Sequence, residues 1–149
     1  NDSAEPAASS VAALNLLRVA QIRNDKGFYE RAEKTIDAFA PQIGHFASAM
    51  PQMLVALDLS LSKPRQIVIA GPPDASETRA LVSEVHRHFV PHKVLLLADG
   101  GDGQRYLEEK LEALRGMKPI GGKPAAYVCE NFTCKAPVTD AKALGDLLR

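Results

Sequence analysis

Only two of the 149 residues are cysteine, Cys129 and Cys134, too few for the disulfide framework that holds small secreted domains together. That scarcity makes a reducing, cytoplasmic compartment the expectation. A charge excess is missing as well: 18 basic residues balance 18 acidic ones. A net charge of zero gives no electrostatic reason to expect nucleic acid or an anionic membrane as a partner. No apolar run approaches the roughly 20 residues that span a bilayer. An initiator methionine is lacking, and the opening NDSAEPAASS does not have the basic-then-apolar order of a signal peptide. The chain is therefore expected to be a piece of something longer. No internal repeat appears. What is present is the composition of a globular protein, 46% hydrophobic and 24% charged, long enough to bury about 70% of its unfolded surface.

The apolar period changes near Ser62-Lys63-Pro64, which divides the sequence into residues 1–62, helical, and 63–149, alternating strand and helix. Ser9 or Ser10 is placed to cap a helix over about Val11 to Asn24, with Val11, Leu14, Leu16 and Leu17 as its stripe. Asn24-Asp25-Lys26-Gly27 signals a turn. Phe28, Ala32, Ile36, Phe39 and Ile43 recur at helical spacing, and Pro41 predicts a kink or restart because it removes a backbone donor. Pro51 to Leu61 reads as a third helix, completing helical hairpins.

Beyond Pro64, Gln66 to Ala70 and Lys93 to Ala98 are short, almost wholly apolar runs ended by glycine-bearing loops, as buried parallel strands are. Helical spacing covers Ser76 to Phe89 and Tyr106 to Leu114. Gly121-Gly122 marks a turn, Ala125 to Cys129 a third strand, and Thr139 the cap of a last helix bearing Leu144, Leu147 and Leu148. The order β-α-β-α-β-α predicts an α/β fold with a small three-stranded parallel sheet flanked by helices.

Ligands of open α/β sheets sit outside the carboxyl ends of the strands. In a parallel sheet those ends, GPPD with Asp74, ADGGDG with Asp99 and Asp102, and CENFTC with both cysteines, share one edge. Ala98 to Gly103 has the glycines to cradle a phosphate at a helix N-terminus. It lacks the G-x-G-x-x-G order and any Lys or Arg, and its two acids repel an anion, so it reads as a plain strand-to-helix turn. No cofactor and no metal are expected.

C-x4-C is too wide for a thioredoxin-type C-x-x-C and supplies half a zinc site at best. Three readings stand: small packing thiols, a disulfide or redox pair meeting across a tight turn, and ligands shared with another chain. His45, His86, His88 and His92 are scattered, and two positions apart on a helix His86 and His88 face different ways. Asp2 and Glu5 read as acids ahead of a helix, favourable to its dipole.

DSAEPAASSVAALNLLRVA, Asp2 to Ala20, is similar to the D-G-A-E-P-S-x-N-S-V-A-x-N-L-L-R segment of the thioredoxin-domain-containing proteins with the DUF255 domain. Ser3, Ala7 and Ser9 stand where that pattern has Gly, Ser and Asn. The resemblance continues through QIVIAG, KVLLLADG and AYVCENFTCKAPVTD, and so covers essentially the whole chain. It implies a longer protein: a thioredoxin-like domain, then an (α/α)6 barrel similar to N-acylglucosamine 2-epimerases and six-hairpin glycosidases, then a small C-terminal region. Residues 1–62 would be the closing helices of that barrel, and 63–149 its α/β appendage. Asp2 and Glu5 would be the acids lining its sugar cavity. The remainder of the longer chain would be the natural partner, and the helices cut from it would favour self-association.

Overall fold

The computed structural model describes residues 2–23, 25–130 and 133–149, so Asn24 of the expected Asn24 to Gly27 turn and the middle of CENFTC, Asn131 and Phe132, lie outside the described residues. The chain forms two compact units, 1–63 and 64–149.

In the first unit, α1 (Ala8–Arg23) starts ahead of the expected cap. Ser9 and Ser10 both lie inside the helix, Ser10 fully buried, so neither is its N-cap. Asp25 caps α2 (Lys26–Ala38) by accepting the N–H groups of Gly27 and Phe28. Pro41 restarts the chain as α3 (Ala40–Phe46), since a helix tolerates proline in its first turn. A 3-10 turn, Ala47–Ala49, leads into α4 (Pro51–Leu61). Leu14, Leu17, Ala32, Ile36, Met53 and Leu59 form the centre of the core. Tyr29 donates its hydroxyl to the Ser60 carbonyl across it.

The second unit begins with β1 (Arg65–Ala70), α5 (Ser76–Arg87) and β2 (Lys93–Ala98). The long helix expected to follow is broken into α6 (Asp102–Glu108) and a 3-10 turn, Glu112–Gly116. Then come β3 (Ala125–Glu130), β4 (Thr133–Cys134) and α7 (Ala141–Leu148). Asp140, one residue after the expected Thr139, caps α7 by accepting the Ala143 N–H.

The sheet is mixed and has four strands in the described residues, ordered β2-β1-β3-β4, which corrects the three-stranded parallel expectation. β1 and β2 are parallel in register Arg65↔Lys93 through Ala70↔Ala98. β3 is antiparallel to β1, with Arg65 opposite Glu130 and Ala70 opposite Ala125. The physical reason lies in the connection. The segment after β2 leaves the sheet at the carboxyl ends of β1 and β2 and returns to the same edge, where β3 starts with Ala125 opposite Ala70. There Ile120 and Lys123 pair around Gly121 and Gly122, whose φ of 57° and 77° only glycine adopts freely. A strand launched from that edge must run back against β1.

β1 is central, and its last four residues are fully buried. On one face Ile67 and Ile69 join Leu81 and Val85 of α5, Val128 of β3, and Leu144 and Leu148 of α7. Each such side chain contributes about 1.5–3 kcal/mol by leaving water. Val68, Val94 and Ala98 point to the other face by the strand alternation and are equally buried, as are Leu111, Leu114 and Met117 of the returning segment. Arg65 ties the far edge together: Nε donates to Glu130 Oε1 at 3.1 Å and Nη1 to the Leu148 carbonyl at 2.9 Å. At the C-terminus of α5, the His88 ring bonds Glu84 at 2.9 Å and holds its carboxyl below the usual range. Among the described residues no helix is long and apolar enough to cross a membrane.

Candidate functional site

Because β1 and β2 are parallel, their carboxyl ends do share an edge, and that edge carries a cleft of about 440 Å³. Gly71 and Pro72 form one wall and Asp99, Gly100, Gln104 and Glu108 another, while Met117, Lys118 and Pro119 close the third. Size and place suit a small ligand. Its polar wiring is internal. The buried Gln104 accepts the Gly100 N–H at 2.6 Å and donates to Glu108 Oε1 at 2.6 Å. Asp99 Oδ1 accepts the Gly101 N–H at 2.8 Å. Two of the loop's amides, those of Gly100 and Gly101, are thus spent on its own side chains, which leaves fewer donors for a phosphate cradle. The first turn of α5, next to it, is filled by Glu77. Its carboxyl is held below the usual range by its own backbone N–H and by Ser76 against the opposing effect of burial, with the Lys123 charge assisting.

The third wall is clasped by one phenol. Tyr127 accepts the Lys118 N–H at 3.2 Å and donates to the Lys118 carbonyl at 2.7 Å. Tyr127→Phe removes both bonds while keeping the ring. We expect a loss of about 1 kcal/mol in stability and faster amide exchange at Lys118, read by hydrogen exchange, with β1 and β2 unchanged.

The sequence-derived candidates do not converge. Asp99 lines the cleft. Asp102 pairs with Arg105 on the exposed side of α6. Asp74 is exposed, and its carbonyl accepts from Arg79. Cys129 and Cys134 lie at the opposite edge, because β3 runs the other way, and they are joined as a disulfide with Cα atoms 3.9 Å apart. Among the described residues no free cysteine is present. Gln104, Glu108 and Met117 to Pro119 escaped the sequence reading; the Gly121-Gly122 hairpin just after them was the signal that the chain returns to this edge.

Asp2 and Glu5 belong to the first unit and are treated very differently. Glu5 is exposed. Asp2 is buried, with Oδ1 accepting the Ala7 N–H at 2.8 Å and Oδ2 accepting those of Gln52 at 2.9 Å and Met53 at 3.2 Å. It therefore caps α4 from fifty positions away, where Met50, the local N-cap, offers no side-chain bond. Burial pushes the Asp2 carboxyl up, but the amides of Ala7, Met53 and Gln52, with the nearby Ser10, outweigh it and the net direction is down. The Ser10 hydroxyl contributes by proximity, lying outside hydrogen-bond geometry. Among the described residues no group of three or more His, Cys, Asp or Glu is gathered as for a metal ion.

The chain is similar to spermatogenesis-associated protein 20 of Homo sapiens, 39% identical over 147 residues that make up 99% of this chain and 19% of that protein. The Rattus norvegicus protein of the same name is 37% identical over 147 residues, 99% of this chain and 18% of the relative. An uncharacterized Caenorhabditis elegans protein is 28% identical over 156 residues, 98% of this chain and 20% of its own length. The chain thus spans about a fifth of the curated relatives it matches. No family model matches, and no solved structure matches.

Proposed function

We propose that this chain is the C-terminal part of a longer, cytoplasmic protein of the thioredoxin-domain-containing (DUF255) kind, acting as scaffold for a carbohydrate-active barrel of epimerase or glycosidase type. The observation that carries this reading is the coverage: 99% of the chain matches 19% of a much longer relative. In it, residues 1–62 are the closing helices of the barrel, and 63–149 a small α/β appendage. Two features support a scaffold without catalysis of its own. Both oxygens of Asp2 are committed to backbone amides. Val11, Val19, Phe46, Val55 and Leu61 of the helical unit are exposed, apolar surface that further barrel helices would cover, or that a second copy covers when the chain is alone.

The test is sugar binding by calorimetry against N-acetylhexosamines and cello-oligosaccharides. The full-length protein is expected to bind one of them and the 149-residue chain none, with Glu5→Ala weakening binding at unchanged melting temperature. Absence of any sugar binding by the full-length protein removes the carbohydrate reading. A second reading, a small ligand- or protein-binding α/β module, rests on the cleft between Gly71 and Lys118. Chemical-shift mapping with nucleotides should move Gly100 and Gln104 on that reading, and stationary resonances there reject it.

A further inference from the structure

We infer that Cys129–Cys134 is a thiol–disulfide exchange site for a dithiol reductant, and that the bond locks a strap, residues 133–138, onto the outer edge of β3. Cys129 and Cys134 are direct cross-strand partners in the two-residue ladder between β3 and β4. Beyond the ladder, the strap is held by three backbone hydrogen bonds: Lys135 N–H to Val128 carbonyl, and the reciprocal pair between Ala126 and Val138. Residues 133–137 are all exposed, and Val138 at the strap's end is half-buried against the core, so burial anchors the strap at that one residue and adds almost nothing to the rest of it. A segment with so few buried contacts opens locally at low cost unless a covalent bond forbids it.

The two sulfurs are unequal, and this sets the chemistry. Cys134 is exposed, whereas Cys129 is 5% exposed within β3. An incoming thiolate reaches the Cys134 side, forms a mixed disulfide there, and expels Cys129 as thiolate. In its buried position that thiolate is poorly solvated and takes up a proton, or attacks back across the register to restore the original bond. A monothiol is therefore mostly rejected. A dithiol escapes the reversal because its second thiol attacks its own sulfur in the mixed disulfide. The dithiol leaves as a cyclic disulfide, oxidised by two electrons. The two protein sulfurs are reduced, and the two protons of the reductant end on Cys129 and Cys134. In a reducing compartment a disulfide of this sort is transient and works as a sensor.

The test combines alkylation with hydrogen exchange on the 149-residue chain. After dithiothreitol, mass spectrometry should show two alkylatable thiols in the unfolded protein, and only Cys134 reacting rapidly in the folded one. Amides of Ala126, Lys135 and Val138 should then exchange faster, on the order of 30-fold for a crosslink closing so short a loop, while those of β1 and β2 keep their protection. Cys134→Ser should show the same open strap in oxidising buffer, with the Cys129 thiol unreactive until unfolding. The inference is overturned by unchanged strap protection after reduction, by loss of protection throughout residues 64–149, or by a monothiol reducing the bond as completely as the dithiol at equal thiol concentration.

Discussion

Asp2→Ala is expected to destabilise the helical unit by about 3 kcal/mol, a large fraction of what a small domain has. Three amide donors, on Ala7, Gln52 and Met53, lose their acceptor at once. A conventional cap deletion costs about 1 kcal/mol, and each further amide left buried without a partner adds about 1–3 kcal/mol. Loss of a negative charge at the N-terminus of α4 adds to this. Asp2→Asn keeps the shape and one acceptor oxygen, so it should recover part of the loss. Urea denaturation followed by the exchange of Gln52 and Met53 amides reads the helical unit specifically. Equal stability of Asp2→Ala and the unmodified chain would show that water replaces the carboxylate at no cost.

The same residue sets a pH dependence. Its folded-state value is lowered, below the ordinary aspartate value of about 3.9. The unfolded chain therefore binds the proton more readily, and the stabilisation is fully present above about pH 4. It is lost as the pH falls through the lowered folded-state value. Acid titration of the helical unit should show a component at the acid end that Asp2→Ala lacks.

Gly71→Ala should cost the α/β unit about 3 kcal/mol, at the upper end of what overpacking does. A methyl group at Gly71 would lie 2.7 Å from Thr78 Oγ1, 2.9 Å from Pro124 Cβ and 3.1 Å from Pro124 Cγ. The proline ring has no rotamer that clears the space, and the Thr78 hydroxyl is buried without a hydrogen-bond partner. Either α5 or the start of β3 must shift, and both flank the end of β1 at the cleft. Adding Thr78→Ala should restore part of the loss and leave the conflict with Pro124. A melting temperature unaffected by Gly71→Ala would mean that this corner of the fold is loosely packed.

Local structure was legible wherever it depends on neighbours in sequence. The apolar runs at Ile67 and Leu95 made strands, Pro51 to Leu61 made α4, and the Gly121-Gly122 turn is where it was read. Strand direction was not legible for β3. A strand buried on both faces carries no alternation that marks which way it runs, and the broken helix before it hid the return of the chain to its starting edge. That single reversal moved Cys129 and Cys134 away from Asp99 and split the supposed common site. The capping of α4 by Asp2 was not legible for a related reason: its charge and position are visible in the sequence, but its partners at Gln52 and Met53 lie some fifty residues away.

The sequence by itself thus determined most of the helices, the two parallel strands β1 and β2, the loop glycines and the similarity to a longer protein, all of which reside in local spacing and residue identity. Tertiary structure alone decided that the sheet is mixed, that a cleft opens between Gly71 and Lys118, that Asp2 caps a distant helix, and that Cys129 meets Cys134 across a strand edge. These depend on which backbone groups approach through space, and loop closure over tens of residues leaves no periodic trace in the chain that undergoes it.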